Sequence, residues 1–353
     1  MTLRRSMIRL EWVCVLPSAL FLLLASGLHA APQQARYHVI RTLPIGGEGS
    51  WDYLTVDPDA RRIYISRGTH TMVVDEDSGK VVGDIPDTQN PHSIVLLPEL
   101  LRGFISNGNS NTVTIFDLKT LALIKQVPTT GQGPNGMLYD PASKHLFTFN
   151  RPSNNATAID PAAGNVVGTI GLGGGRTEFA TADGKGNIFV HIEDRGQIVV
   201  FDSQKLVIEH VWPLAPCEGP TGMAIDTVHR RIFSGCDKMM AVVDADSGKV
   251  ITTLPTGPGV DATGFDPGTG LAFSSNGGDG TLTVVHEDSP DKFTVVSQVP
   301  TKQGARTMAL DPKTHHVFVV TADFTPAPAP TPDNPRPRPQ MVPNSFVLLE
   351  LAP

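Results

Sequence analysis

The sequence predicts an all-β fold, a seven-bladed β-propeller of four-stranded blades, and three observations carry that prediction. First, a phrase recurs: "VVDEDSGKVVGDIPDT" (Val73 to Thr88) returns 169 residues later as "VVDADSGKVITTLPTG" (Val242 to Gly257). Second, the acidic residue closing its apolar run falls at Asp75, Asp117, Asp160, Asp202 and Asp244, and His286 and Glu350 continue the series, with steps of 42, 43, 42, 42, 42 and 64. Third, another series keeps register with it at Asp57, Leu97, Asp140, Asp183, Asp226, Asp266 and Asp311, which makes seven copies. A fixed period of this length marks a propeller or a repeat array rather than a two-domain enzyme.

Each copy reads as four short strands with turn signals between them. In the second copy these are "HSIVLL", "RGFISN", "TVTIFD" and "ALIKQV". The "DP" and "DxxSG" groups sit at tight turns, because Asp caps its own backbone and Gly accepts positive φ. The repeated phrase is therefore the hairpin between the third and fourth strands of a blade. At the ends, "ARYHVIRTLPI" has no first three strands before it, and the last copy has no fourth strand after "SFVLLEL". Joining the two completes blade seven and shuts the ring, which removes an open sheet edge. A linear solenoid would leave both ends unpaired.

The first 30 residues read as a signal peptide. Arg4, Arg5 and Arg9 precede the apolar "VCVLPSALFLLLASGL", and small residues follow near Ala30. The protein is then expected to be periplasmic or secreted, with no membrane span once the signal is cut. The single propeller domain spans 35–353. The whole chain carries −7; Arg4, Arg5 and Arg9 against Glu11 give that segment +2, so the remainder carries −9. Such a surface disfavours nucleic acid as a partner. Two cysteines remain, Cys217 and Cys236. In an oxidising compartment they are a disulfide candidate, against the alternative of two separate buried thiols. They stand nine before and ten after Asp226, almost opposite across a hairpin, which favours the disulfide.

"IYISRG", "GFISNG", "AFSSNG" and the "VVDxDSGKV" hairpins resemble the YncE-like, or YVTN-repeat, seven-bladed β-propellers. The resemblance covers the chain from about Ala35 onward and implies the fold; propellers host many unrelated activities, so it implies little about function.

In a propeller the first strand of each blade lines the central channel, and the loops entering it and leaving the second strand open on one face. The residue five places before each anchor of the second series is Asp52, His92, Asn135, Glu178, Thr221, Asp261 and Arg306, all polar. Ten places after the anchor stand Arg67, Asn107, Asn150, Glu193, Cys236, Asn276 and Thr321. Two such rings at one mouth suit a small molecule, an ion or a protein partner; they are also the ordinary lining of a wet channel. Asp52, His92, Glu178 and Asp261 can together hold a divalent cation, the one cofactor the set admits. Arg306 with Arg176 and Arg67 can instead clamp a carboxylate. Trp51 can stack a planar ligand or pack between blades.

The reading is of a non-enzymatic binding propeller. The alternative is a metal-assisted lyase or hydrolase resembling the streptogramin-lyase propellers, with His92 and Glu178 as base and acid. His315 and His316 fall on the opposite face and are expected to be solvent-exposed. "GLGGGRTE" (Gly171 to Glu178) precedes no helix, which argues against a phosphate cradle. "TPAPAPTPDNPRPRPQMVP" (Thr325 to Pro343) accounts for the long last step. It reads as a stiff insertion in blade seven on the ligand-facing side, either a tolerated loop or a partner-docking arm carrying Arg336 and Arg338.

Overall fold

The structure, a computed structural model, describes residues 36–329, 331, 337 and 339–353. The signal read over residues 1–30, and Arg336 and Arg338 of the insertion, lie outside the described residues. Ala35–Pro353 form one compact unit of seven antiparallel four-stranded sheets.

Blade one runs Trp51–Asp57, Arg62–Arg67, His70–Asp75 and Val81–Ile85 from the axis outward. Blades two to six repeat this order, with inner strands Pro91–Leu97, Pro134–Asp140, Thr177–Ala182, Met223–Asp226 and Val260–Asp266. Blade seven has Met308–Asp311, His316–Thr321 and Val347–Ala352, and its outermost strand is His38–Pro44 from the other end of the chain. That strand lies antiparallel on Val347–Ala352, with His38 opposite Ala352 and Pro44 opposite Val347. The ring therefore closes as its two incomplete ends require.

The turn chemistry accounts for the repeat. In blades one to five the carboxylate ending the third strand accepts from the backbone N–H three residues on, as Asp75 does from Ser78 and Asp244 from Ser247, both at 2.8 Å. Gly79 and Gly248 then take φ of +69° and +72°, which L side chains avoid. A Cβ on Gly248 would also meet the Trp212 ring at 2.2 Å. The anchors of the second series act alike on the other hairpin: Asp140 accepts from Ser143 N–H, and Asp311 from Lys313 N–H.

The core lies between blades. The third residue of every second strand is aromatic and buried: Tyr64, Phe104, Phe147, Phe189, Phe233, Phe273 and Phe318. Each side of a blade packs on its neighbour, so Phe147 and Phe149 of blade three meet Ile188 and Val190 of blade four. Fully burying side chains of this size contributes about 1.5–3 kcal/mol each, which is why an outer strand such as Val81–Ile85 can stay largely exposed. Cys217 and Cys236 form a disulfide, with Cα atoms 5.7 Å apart. It ties the segment entering the inner strand of blade five to the end of the second strand.

Candidate functional site: the charged channel mouth

The inner strands bring a charged ring to one end of the channel. His92 and Asp52 pair through Nδ1 and Oδ2. The amide of Asn90 donates to His92 Nε2 at 2.9 Å, so both ring nitrogens are engaged and Nδ1 carries the proton toward Asp52. Glu178 Oε2 stands 3.2 Å from Arg151 Nε. Arg151 also pairs with Glu193, whose other oxygen is 3.3 Å from Arg176. Asp261 Oδ2 lies 3.2 Å from Arg306 Nε, and Arg306 donates from Nη2 to the Trp51 carbonyl at 3.1 Å. Thr221 turns its hydroxyl to the Val260 carbonyl, and Asn135 is buried.

Below this ring two aromatic side chains meet across the channel. Tyr53 of blade one and Phe179 of blade four stack with centroids 4.9 Å apart, although their blades are not neighbours. The Tyr53 hydroxyl donates to the Asp261 carbonyl of blade six. The aromatic floor excludes water from the underside of the mouth carboxylates. Burial pushes Glu178 up to about 8, against the pull of Arg151, with Glu193, Asp261 and Asp52 adding to the rise. Burial and then Asp52 push Asp261 up to about 7, against Arg306 and Arg151.

The ring ten places after the anchor is not at the mouth. Arg67, Asn107, Asn150, Cys236, Asn276 and Thr321 are buried at the ends of the second strands. The asparagine amides bond across the hairpin: Asn107 Nδ2 donates to Thr112 and Thr114 hydroxyls, and Asn276 Nδ2 to those of Thr281 and Thr283. These side chains hold the second strand to the third. Glu193 does not belong to their ring, because blade four is one residue short and Ile192 takes the strand end. Glu193 occupies the next position outward, as Arg151 does in blade three. Counting one step further along the register would have found Arg151, which sequence reasoning missed along with Asn90.

Three other expectations change. Arg67 cannot join a carboxylate clamp. Its guanidinium lies 3.7 Å over the Phe346 ring and donates to the Glu48 carbonyl, while Arg176 and Arg306 are held by different acids. Asp52, His92, Glu178 and Asp261 do not gather as metal ligands either. Among the described residues, the group of three or more such side chains with ligand atoms within 4.8 Å of one another is Asp226, His229 and Glu287, at the other end of the channel. No hydrogen bond or ion pair joins His92 to Glu178 among the described residues. Finally, His315 and His316 are partly buried, not free in solvent: their Nδ1 atoms meet Asp266 at 2.7 Å and Glu350 at 2.6 Å.

Trp51 packs between blades, against Phe346 and Phe324. Phe324 bridges to Met341 across the base of the Pro-rich insertion. Trp51, Phe324, Met341 and Arg306 line a cavity of about 490 Å³ beside the mouth.

The fold and site define a seven-bladed β-propeller with a charged mouth. No family model matches the chain, and no curated protein matches its sequence. Solved structures match the fold. The RRP9 WD40 repeats align over 90% of this chain and 100% of theirs, with TM-score 0.75 and 11% identity. A chain of the mitotic checkpoint complex covers 89% of this chain and 95% of its own length (TM-score 0.70, 14% identity). One from the hydrazine synthase of Kuenenia stuttgartiensis covers 78% and 92% (TM-score 0.68, 16% identity). Among the described residues no helix is long and apolar enough to cross a membrane.

Proposed function

We propose that the protein is an exported, non-enzymatic binding propeller of the YncE-like kind, whose mouth receives the cationic group of a small molecule. The observation that supports this is an acid surplus. Four carboxylates, Asp52, Glu178, Glu193 and Asp261, face three guanidiniums, Arg151, Arg176 and Arg306. Two of the acids keep a proton near neutral pH because burial denies them water and no further cation offsets their charge. An ammonium or guanidinium entering from the open side takes the place of those protons. The adjoining cavity under Trp51, Phe324 and Met341 offers room for an apolar body.

Export is supported by the character of the first 30 residues and by the Cys217–Cys236 disulfide, since such bonds persist in oxidising compartments. The experiment is a thermal-shift screen of small amines and guanidines against carboxylic acids of matching size. Amines and guanidines should raise the melting temperature of the wild type and leave the Glu178→Gln/Asp261→Asn variant unmoved. Stabilisation by the carboxylates alone would overturn the reading.

A further inference from the structure

The opposite face of the ring carries a second charged constellation, between blades five and six. Anchor carboxylates of several blades meet the following blade there. At three of these junctions, the residue four places after the following blade's anchor sends a basic side chain back. Arg61 reaches Asp311 at 3.1 Å, Arg230 reaches Asp183 at 3.3 Å, and His315 reaches Asp266 at 2.7 Å. Where blade six meets Asp226, the same position is Gly270, with φ +68° and no side chain.

This junction has the greatest need of a cation. Glu287 follows the third-strand residue His286, as Glu76 follows Asp75 in blade one. Glu76 has the Arg61 guanidinium 2.7 Å away, the same guanidinium that pairs with Asp311. Among the described residues, no guanidinium or ammonium pairs with Glu287 or Asp226. Their ion-pairing neighbour is the imidazole of His229, whose Nδ1 lies 2.7 Å from Asp226 Oδ2 and 3.1 Å from Glu287 Oε1. The Glu287 side chain is 2% exposed, and neither of its oxygens accepts a hydrogen bond. A cavity of about 160 Å³ lined by Asp226, His229, Glu287 and Gly270 opens beside the group.

We propose that Asp226, His229 and Glu287 bind a divalent transition-metal ion, Zn²⁺ foremost, which joins blades five and six in place of the missing guanidinium. The donor set decides the class. One imidazole nitrogen with two carboxylate oxygens suits Zn²⁺ and its first-row neighbours, whereas Ca²⁺ and Mg²⁺ take oxygen shells. Ligand atoms around a four-coordinate Zn²⁺ with bonds of about 2.0–2.1 Å stand about 3.3 Å apart. The pairs seen here need open by only a few tenths of an ångström. The His229 imidazole, half exposed, leaves the ion an entry path from solvent.

Calorimetric titration of ZnCl₂ into chelator-stripped full-length protein tests the site. The wild type should take up one equivalent per chain. His229→Ala and Glu287→Gln should each weaken that uptake at least tenfold, while His92→Ala, at the other face, should match the wild type. Zn²⁺ should also raise the melting temperature of the wild type and of His92→Ala, but not of His229→Ala. The absence of stoichiometric uptake by the wild type would overturn the proposal, and so would uptake that survives His229→Ala. That variant decides the matter if Glu287→Gln does not fold, because its exposed ring supports no core packing.

Discussion

Tyr53 and Phe179 stack across the channel, 4.9 Å between centroids with their planes 29° apart. The contact joins blades one and four, and the Tyr53 hydroxyl extends it to the Asp261 carbonyl of blade six. Tyr53→Ala should destabilise the protein by about 3–5 kcal/mol, the usual cost of emptying a buried aromatic site. Tyr53→Phe should cost only about 1 kcal/mol, for one hydrogen bond. Urea unfolding measures both. Equal, negligible losses would mean that the floor is not packed as described.

Asn107, Asn150 and Asn276 hold hairpins and do not touch ligand. Asn107→Ala removes the amide that donates to the buried hydroxyl of Thr114 and the half-buried one of Thr112. It should cost about 1–3 kcal/mol and leave binding at the mouth unchanged. A variant of wild-type stability with impaired binding would restore these residues to the mouth.

The mouth acids make stability depend on pH. The folded pKa values of Glu178 and Asp261, about 8 and about 7, lie above their ordinary 4.5 and 3.8. The folded state thus holds these protons more tightly than the unfolded one. Their contribution is fully present below about pH 4 and is lost as pH rises through 7 to 8. Glu178→Gln should raise the melting temperature relative to wild type at pH 9 and change it little at pH 5. Parallel melting profiles for the two proteins across that range would contradict the assignment.

The fold was legible because the period is written in turn residues, which sequence shows directly. Asp75 and Asp244 cap the same hairpin for the same reason, and the unpaired first strand implied ring closure. The ring five places before the anchor was legible too, since the inner strands keep register. Three physical features hid the rest. The turn "DGKG" after Ala182 is one residue shorter than "DPASK" after Tyr139, so counting forward from Asp183 landed on Glu193 instead of Ile192. And polarity alone does not say which way a side chain points: Asn107 and Arg67 are as polar as Asp52, yet their strand ends face the neighbouring strands and the core. The stacking of Tyr53 on Phe179, between blades that are not neighbours, leaves no mark in a repeat.

The disulfide ties Cys217 to Cys236 across 19 positions. Replacing both with serine should cost about 3 kcal/mol through the loop freed in the unfolded chain, measured by urea unfolding under non-reducing conditions. Equal stability of the variant and the wild type would show that the bond does not form in the protein.

The central claim is that buried acids at the mouth await a cation, and the affinity of agmatine as a function of pH tests it most directly. Between pH 6 and pH 9 Glu178 and Asp261 shed their protons, so calorimetry should show agmatine binding the wild type progressively more tightly, with a flat profile in Glu178→Gln/Asp261→Asn. Agmatine affinity that is independent of pH in the wild type, or unchanged in the double variant, would contradict the account.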